Sequence, residues 1–294
     1  MSASVRGPAD LHAHSAVSDG TEQPAELVRA AARAGLGTIA LTDHDSTAGW
    51  EEASQAALEA GIALIPGMEL STRYGHKSVH LLAYLFDPSD RALMDETARI
   101  RESRLTRAER IVDNLARDYP LSWDDVLAQT RDGATVGRPH IADALVHLGI
   151  VPDRSAAFAG ILHPSRGYVM PHYAPDPLTA VALVRAAGGI PVVAHPATRG
   201  RAHVLTADYV KSLAGAGLFG LEVEHRENTA DGKRRLRELA ERFDLAVTGS
   251  SDYHGEGKPN QLGENTTAPE VVERIIAEAS GWQPVVPENP AASP

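Results

Sequence analysis

Short apolar runs alternate with alanine-rich segments of helical period along most of this chain, and that alternation limits the fold more than any single residue does. The runs at 38–42 (TIALT), 62–65 (IALI), 79–86 (VHLLAYLF), 190–194 (IPVVA), 218–223 (LFGLEV) and 245–248 (LAVT) read as buried strands. Between them, 24–34 begins with Pro24 at a first helical position and stops at Gly35. The segments 47–60, 177–187 and 229–243 also read as helices; the first two stop at Gly61 and at Gly188-Gly189. Such alternation predicts parallel strands with helices packed outside, hence an α/β fold, either a barrel or a doubly wound sheet.

The rhythm fails between residues 87 and 168. That stretch is mainly helical and reads as a small insertion between two strands of the main domain. Nine arginines lie between Arg91 and Arg138, but ten acidic residues between Asp90 and Asp132 offset them, so the insertion is not a basic nucleic-acid arm. The predicted organisation is a main domain of 1–86 and 169–283, an insertion of 87–168, and a disordered tail of 284–294.

Composition narrows the function classes. With 294 residues, 43% of them hydrophobic, the chain can bury a sizeable core. A formal net charge of −11 repels long polyanions, which argues against double-stranded nucleic acid as a partner. Cysteine is absent, so disulfides and thiolate metal ligands are excluded. No apolar run approaches the roughly 20 residues of a membrane span, and the N-terminus shows no apolar signal core. A cytoplasmic protein with no membrane association and no obligatory protein partner is expected.

The strongest chemical signal is Asp10-Leu11-His12-Ala13-His14. Residues two apart on a strand face the same side, so two imidazoles at this spacing can chelate one ion. Asp10 can orient one ring through its second nitrogen. A pair of surface histidines is the plainer alternative. Similar residues recur where other strands end: Thr42-Asp43-His44-Asp45, Gly67-Met68-Glu69, His80, Ala194-His195-Pro196 and Ser251-Asp252-Tyr253-His254. In β/α folds the C-terminal strand ends converge on one face, and that face holds the active site. Each histidine alone is more simply a structural residue; six strand-associated clusters make coincidence a poor account.

The ordered set D-L-H-x-H-S, S-D-G-T, T-D-H-D, P-G-x-E, H-L-L-A-Y, A-H-P and S-D-Y-H resembles the signature of the PHP (polymerase and histidinol phosphatase) superfamily over nearly the whole chain. The resemblance implies a distorted seven-stranded (β/α) barrel with a small, cap-like helical insertion and up to three metal ions. It points to the stand-alone phosphoesterases: 3′,5′-nucleoside bisphosphate phosphatases, 5′→3′ exoribonucleases of short RNA and a cyclic ribose-phosphate phosphodiesterase. By this resemblance His12, His14, Glu69 and Asp252 hold a first metal. Glu69 bridges to a second, completed by His80 and His195, and Asp19, His44 and His254 hold a third. Asp10 and Asp43 support these ligands from behind. Imidazole and carboxylate without thiolate suit Mn²⁺ or Zn²⁺, with Fe²⁺ also compatible.

Phosphate recognition requires more than metals. Gly137-Arg138-Pro139-His140 precedes a helical segment; the guanidinium of Arg138 matches phosphate oxygens, and His140 can donate to or protonate a leaving oxygen. A salt bridge and a helix cap are the structural alternatives. Arg199 and His225 are weaker phosphate candidates. Arg104 and Arg107 read as a solvated helix face, and His76, His147, His163, His172 and His203 as structural. The expected chemistry is attack on phosphorus by hydroxide generated between two metals, with Arg138 neutralising phosphoryl oxygens and His140 or His254 assisting the leaving group. The expected substrate is a small phosphorylated nucleotide or the 5′ end of short RNA, with Trp50, Trp123 and Tyr84 as uncommitted base-stacking candidates. Two other classes remain open: an amidohydrolase, which in many cases needs a bridging lysine on a core strand, and a non-catalytic metal-binding module.

Overall fold

The computed structural model describes residues 7–130, 134–198 and 204–287. Its strands are β1 (Ala9–Asp10), β2 (Thr38–Leu41), β3 (Ala63–Tyr74), β4 (Lys77–Tyr84), β5 (Ile190–Ala194), β6 (Gly220–Glu224) and β7 (Ala246–Gly249). They form one sheet in chain order. Beyond β1 and β7 the two edges meet: Ala13 and Tyr253 form a parallel bridge, with His14 N donating to Tyr253 O and Asp252 N to His12 O, both at 2.9 Å. The sheet is thus nearly closed into a seven-stranded barrel.

Helices α1 (Pro24–Arg33), α2 (Trp50–Ala60), α7 (Pro177–Ala186), α8 (Ala207–Gly215), α9 (Ala230–Phe243) and α10 (Pro269–Glu278) surround this sheet. Their ends follow the local chemistry. Pro24 and Pro177 occupy first-turn positions, Thr229 caps α9 by accepting from Gly232 N, and Gly61 closes α2 at φ 72°. The apolar faces of α1, α2, α7, α8 and α9 meet the sheet in a continuous cluster that includes Leu27, Ile39, Leu64, Leu70, Leu81, Val193 and Leu221, all unexposed, whereas Val272 and Ile275 of α10 join a second cluster with Ala9, Leu11 and Tyr84. Among the described residues no helix is long and apolar enough to cross a membrane.

Two strands depart from the alternating pattern. β3 continues to Tyr74, nine residues past Ile65, so Glu69 lies within it rather than after it. β4 then returns antiparallel to both β3 and β5, where parallel pairing was expected. The reason is the connection. Only Gly75 and His76 separate β3 from β4, and a two-residue turn makes a hairpin, whereas parallel strands need a crossover of a dozen residues or more. Reversal of β4 puts its first half, with His80, at the end of the barrel where the parallel strands finish. Register confirms this: His80 pairs with Ser71 on one side and with Ala194, the neighbour of His195, on the other.

Between β4 and β5 the chain is helical: α3 (Arg91–Leu115), α4 (Trp123–Leu127), α5 (Arg138–His147), α6 (Arg154–Ala159) and a 3₁₀ turn (Pro164–Arg166), before α7. Leu93 and Ile100 of α3 belong to the sheet's own cluster. Ile111 and Leu115 belong to a separate one with Val126, Ile141, Leu145 and Leu162. α3 therefore ties a second small core to the barrel. At the C-terminus, Val285 N and O both bond Leu64 at 2.9 Å, so the segment read as a disordered tail from 284 begins with an ordered pairing; 288–294 lie outside the described residues.

Leu81 faces Leu70 across the β3–β4 pair, both fully buried. Leu81→Ala is expected to lower unfolding free energy by about 2–5 kcal/mol, read from urea denaturation. A loss below about 1 kcal/mol would mean that this pair is not central to the core.

Candidate metal centre

Regular β1 ends at Asp10, and the chain pairs again at the Ala13–Tyr253 bridge, with Leu11 in one core cluster and Ala13 in the other. Ala13 turns into the apolar core, and His12 and His14 turn to the barrel's interior, neither with any exposed surface. Asp45, His195 and Asp252 adopt φ of 52°, 29° and 55°. The left-handed region is uncommon for side chains other than glycine, and such residues gather at functional sites. The unusual backbone turns His195 and Asp252 back toward one point, while Asp45 turns to Ser71 and Arg104.

That point is the Glu69 carboxylate. Its Oε2 lies 3.3 Å from His12 Nε2, 3.1 Å from His14 Nε2 and 3.2 Å from His44 Nδ1. Its Oε1 lies 2.6 Å from His80 Nδ1 and 3.1 Å from His195 Nε2. Asp252 Oδ1 approaches both His12 and His14 Nε2 at 3.4 Å. A second focus is Asp19, 3.2 Å from His254 Nε2 and 3.6 Å from both His14 Nδ1 and His44 Nε2. All nine sequence-predicted ligands therefore converge, in groups that could hold divalent ions: His12, His14, Glu69 and Asp252; His44, Glu69 and His80; His14, Asp19, His44 and His254; and His12 and His195 with Glu222.

The donor chemistry fits such ions. Buried His44 Nδ1 and His254 Nε2 sit 3.2 Å from carboxylate oxygens, yet neither has a hydrogen-bond partner. Nitrogens that close but misaligned as donors have lone pairs free to share a cation. His12 Nε2 and His14 Nε2 face each other at 3.1 Å, an arrangement that two N–H groups could not share. Burial pushes the Glu69 carboxyl up, but the imidazoles of His80, His44 and His12 outweigh it and hold the group well below its ordinary range. Burial pushes His44 far down, so its ring is neutral and able to ligate.

Glu222 is a site residue that the sequence reading missed. Fully buried, it accepts from His12 Nδ1 at 3.0 Å, from His195 N at 2.7 Å and from Ser250 Oγ at 2.7 Å. It fixes the His12 tautomer and leaves Nε2 for the cluster, the role first given to Asp10. Burial raises Glu222 and His12 outweighs it, leaving its carboxyl at about 2. The signal was present as the one charged residue inside the apolar run 218–223. Asp10 instead accepts backbone N–H groups of Ser251 and Gly263, at 3.0 and 2.9 Å, and is pushed by burial to about 6. Asp43 anchors the 15–18 turn through Ser15 and Ser18. Lys258, also missed, pairs with Asp252 at 2.7 Å.

An open pocket of about 380 Å³ adjoins His44, His80 and Asp19 and is lined by Arg73, Lys77, Arg104, Arg107, Arg138 and His172. Arg104 and Arg107 are thus not a solvated helix face. Arg104 is buried, bonding Asp45 and Ser71 Oγ at 3.0 Å, and Arg107 bonds His172 Nδ1 at 3.2 Å. Three-residue spacing sets both on one side of α3, facing the barrel. Burial, with Arg104, Arg138 and Arg73 adding like charge, pulls Arg107 down to about 9. Arg138 lies over the Phe158 ring at 5.5 Å. His140 caps α5: its Nδ1 accepts from Gly137 N at 3.1 Å, so any substrate contact falls to Nε2. His225 is buried beside the candidate metal ligands, 3.6 Å from Asp252, rather than in the arginine pocket. Arg199 and His203 lie outside the described residues. Trp50 bonds Gly67 O and Tyr84 bonds Leu11 O, so both serve the fold, while Trp123 packs in the insertion's core.

His172 is moved from a structural residue to a pocket wall. Burial first, then Arg107, Arg104 and Arg73, depresses it from 6.5 to about 2. Its neutral ring accepts from Arg107 at Nδ1, which leaves the proton on buried Nε2, a donor with no partner. Below pH 6.5 the unfolded chain binds a proton here that the folded protein refuses. Folding stability should therefore fall on acidification, with His172 contributing up to about 1.4 kcal/mol per pH unit. Denaturant titrations between pH 7 and 5 should show a shallower slope for His172→Gln than for wild type; equal slopes would contradict this assignment.

Comparison with known proteins places this arrangement. Residues 10–123 match the PHP domain model. A 3′,5′-nucleoside bisphosphate phosphatase of Chromobacterium violaceum is 35% identical over 252 residues, 85% of this chain and 88% of that protein. A 5′-3′ exoribonuclease of Haemophilus influenzae is 36% identical over 265 residues, 87% and 93% respectively. A crystal structure from Bifidobacterium adolescentis, presented as a metal-dependent phosphoesterase, superposes with a TM-score of 0.91 at 43% identity and covers 93% of this chain and 97% of that one. With its barrel, its converging histidines and carboxylates, and relatives matched along most of their length, this chain belongs to the PHP family.

Proposed function

We propose that the protein is a metal-dependent phosphoesterase that hydrolyses a small nucleotide carrying two phosphates, most directly the 3′-phosphate of a nucleoside 3′,5′-bisphosphate, or the 5′ end of a short RNA. One observation carries this reading: a buried cluster able to hold divalent ions opens directly into a pocket walled by arginines. Similarity to a bisphosphate phosphatase and an exoribonuclease supports the substrate class. Two or three ions are proposed, Mn²⁺ or Zn²⁺ first and Fe²⁺ next, from the all-imidazole and carboxylate donor set. The cysteine-free chain and a nucleotide substrate fit a cytoplasmic enzyme.

In this reading His12, His14, Glu69 and Asp252 would hold one ion, His80 and His195, both beside Glu69 Oε1, would serve a second, and Asp19, His44 and His254 would hold a third. When bound, the ions supply Lewis-acid activation of water and neutralise charge on the reacting phosphoryl group. The protein's own part is preorganisation. Glu222 sets the His12 tautomer, and Asp45 and Ser71 lock the Arg104 side chain. Arg107 and Arg138 then meet the non-reacting phosphate with charge-assisted hydrogen bonds. The α3–α6 unit, with its own core, is proposed as a cap that restricts entry to small or single-stranded ligands.

Phosphate release from adenosine 3′,5′-bisphosphate and from AMP tests this reading. With Mn²⁺ added, the bisphosphate should be preferred, and Glu69→Gln should abolish turnover of both. Arg107→Ala or Arg138→Ala should lower kcat/KM for the bisphosphate by roughly 10- to 150-fold, the cost of a charge-assisted contact, with metal content unchanged. Equal turnover of the two nucleotides would reject the two-phosphate substrate, and unchanged kinetics in both variants would remove the arginines from recognition.

A further inference from the structure

A second pocket, of about 500 Å³, lies on the other side of the same cluster. It shares Asp19, Pro139 and Phe158 with the arginine pocket, and its floor includes His254 and Asn260. The two pockets therefore flank the proposed metal ligands as two arms of one cleft, with Pro139 and Phe158 of the α5–α6 region between them.

Their electrostatics differ. In the arginine pocket Arg107 is buried against the like charges of Arg104, Arg138 and Arg73. In the second pocket each of the three cations holds a carboxylate: Arg154 pairs with Asp143, Arg226 with Glu264 at 3.3 Å, and Lys258 with Asp252 at 2.7 Å. Glu227 adds a negative charge to the lining. This arm has no excess positive charge to attract a phosphate. Its apolar walls are Pro139, Pro259 and the half-buried Phe158 ring, and its polar surfaces are the Ser155 hydroxyl and the Asn260 amide, the latter held by a 2.6 Å bond to Ser251 O. A flat, uncharged group with polar edges suits such walls.

We infer that this second pocket is the base subsite: it takes the nucleobase of the nucleotide whose phosphoester is cut, stacked on Phe158, while the neighbouring phosphate occupies the arginine pocket. The inference rests on the phosphoesterase reading and adds a recognition element to it. Arg138, above the same ring, links the two arms, so that base and phosphate each secure one wall of the other's pocket. Stacking of a base on an aromatic ring tolerates every base, so the subsite discriminates nucleotides from base-free sugar phosphates rather than one base from another.

Calorimetric titration of the Mn²⁺-supplemented protein with AMP and with ribose 5-phosphate, neither of which carries the second phosphate of the preferred substrate, tests the subsite by binding rather than by turnover. AMP should bind roughly 5- to 150-fold more tightly, the range that stacking of one base supplies. Phe158→Leu, which keeps an apolar side chain in the α5–α6 core, should reduce that ratio to below about twofold with metal content unchanged, and Phe158→Trp should restore it. A wild-type ratio near one, a ratio that survives Phe158→Leu, or failure of both probes to bind would overturn the inference. Phosphate release from adenosine 3′,5′-bisphosphate, followed in parallel, separates the two readings. The predicted binding ratio without any phosphate release would uphold the subsite and reject the hydrolase.

Discussion

A carboxylate with 1% exposure, surrounded by five imidazoles, is the constraint on which the rest of this structure depends. An ionised carboxylate in a protein interior costs several kcal/mol unless its charge is met. Glu69 has five imidazoles around it, drawn from four parts of the chain. His12 and His14 come from the first strand end, His44 from the second, His80 from a reversed strand, and His195 from the fifth. The long β3, the tight turn at Gly75 and the left-handed backbone at His195 all serve that meeting. Barrel closure through Ala13 and Tyr253 completes it by bringing the first and last segments together.

Charge is distributed by the same logic. The chain carries a net −11, yet the entrance to its buried cluster is lined by four arginines and a lysine. The negative surface discourages long polyanions, while the pocket concentrates positive potential in a volume suited to one phosphate. Arg104 is neutralised by Asp45 and serves chiefly to fix geometry; Arg107 is held beside like charges by the packing of α3. A group kept in an unfavourable field by the fold is prepared to gain from an anion.

Much of this was legible in the sequence, for identifiable reasons. Alternation gave the strands and helices because buried strands and amphipathic helices have different periods. The nine converging positions were legible partly because most lie at or near strand ends, and Asp19, in a turn well past β1, only through its place in the ordered family signature. The reversal of β4 was not read, although Gly75-His76 left no room for a crossover helix. Glu222 was passed over because it lies inside an apolar run, where its charge should itself have been the signal. Arg104, Arg107 and His172 were misjudged for another reason. Helical spacing tells which residues share a face, but not what that face meets, and here it meets the barrel mouth. Asp10 and Glu222 exchanged roles because only tertiary geometry decides which carboxylate reaches an imidazole nitrogen and which holds backbone amides.

The central claim is that divalent ions sit on the Glu69 carboxylate. Anomalous scattering from crystals grown with Mn²⁺ tests it most directly. Peaks are expected within ligand distance of Glu69, one flanked by His12, His14 and Asp252 and another by His80 and His195, both lost in Glu69→Gln crystals that keep the same fold. An absence of anomalous density near Glu69 at saturating Mn²⁺ or Zn²⁺ would contradict it.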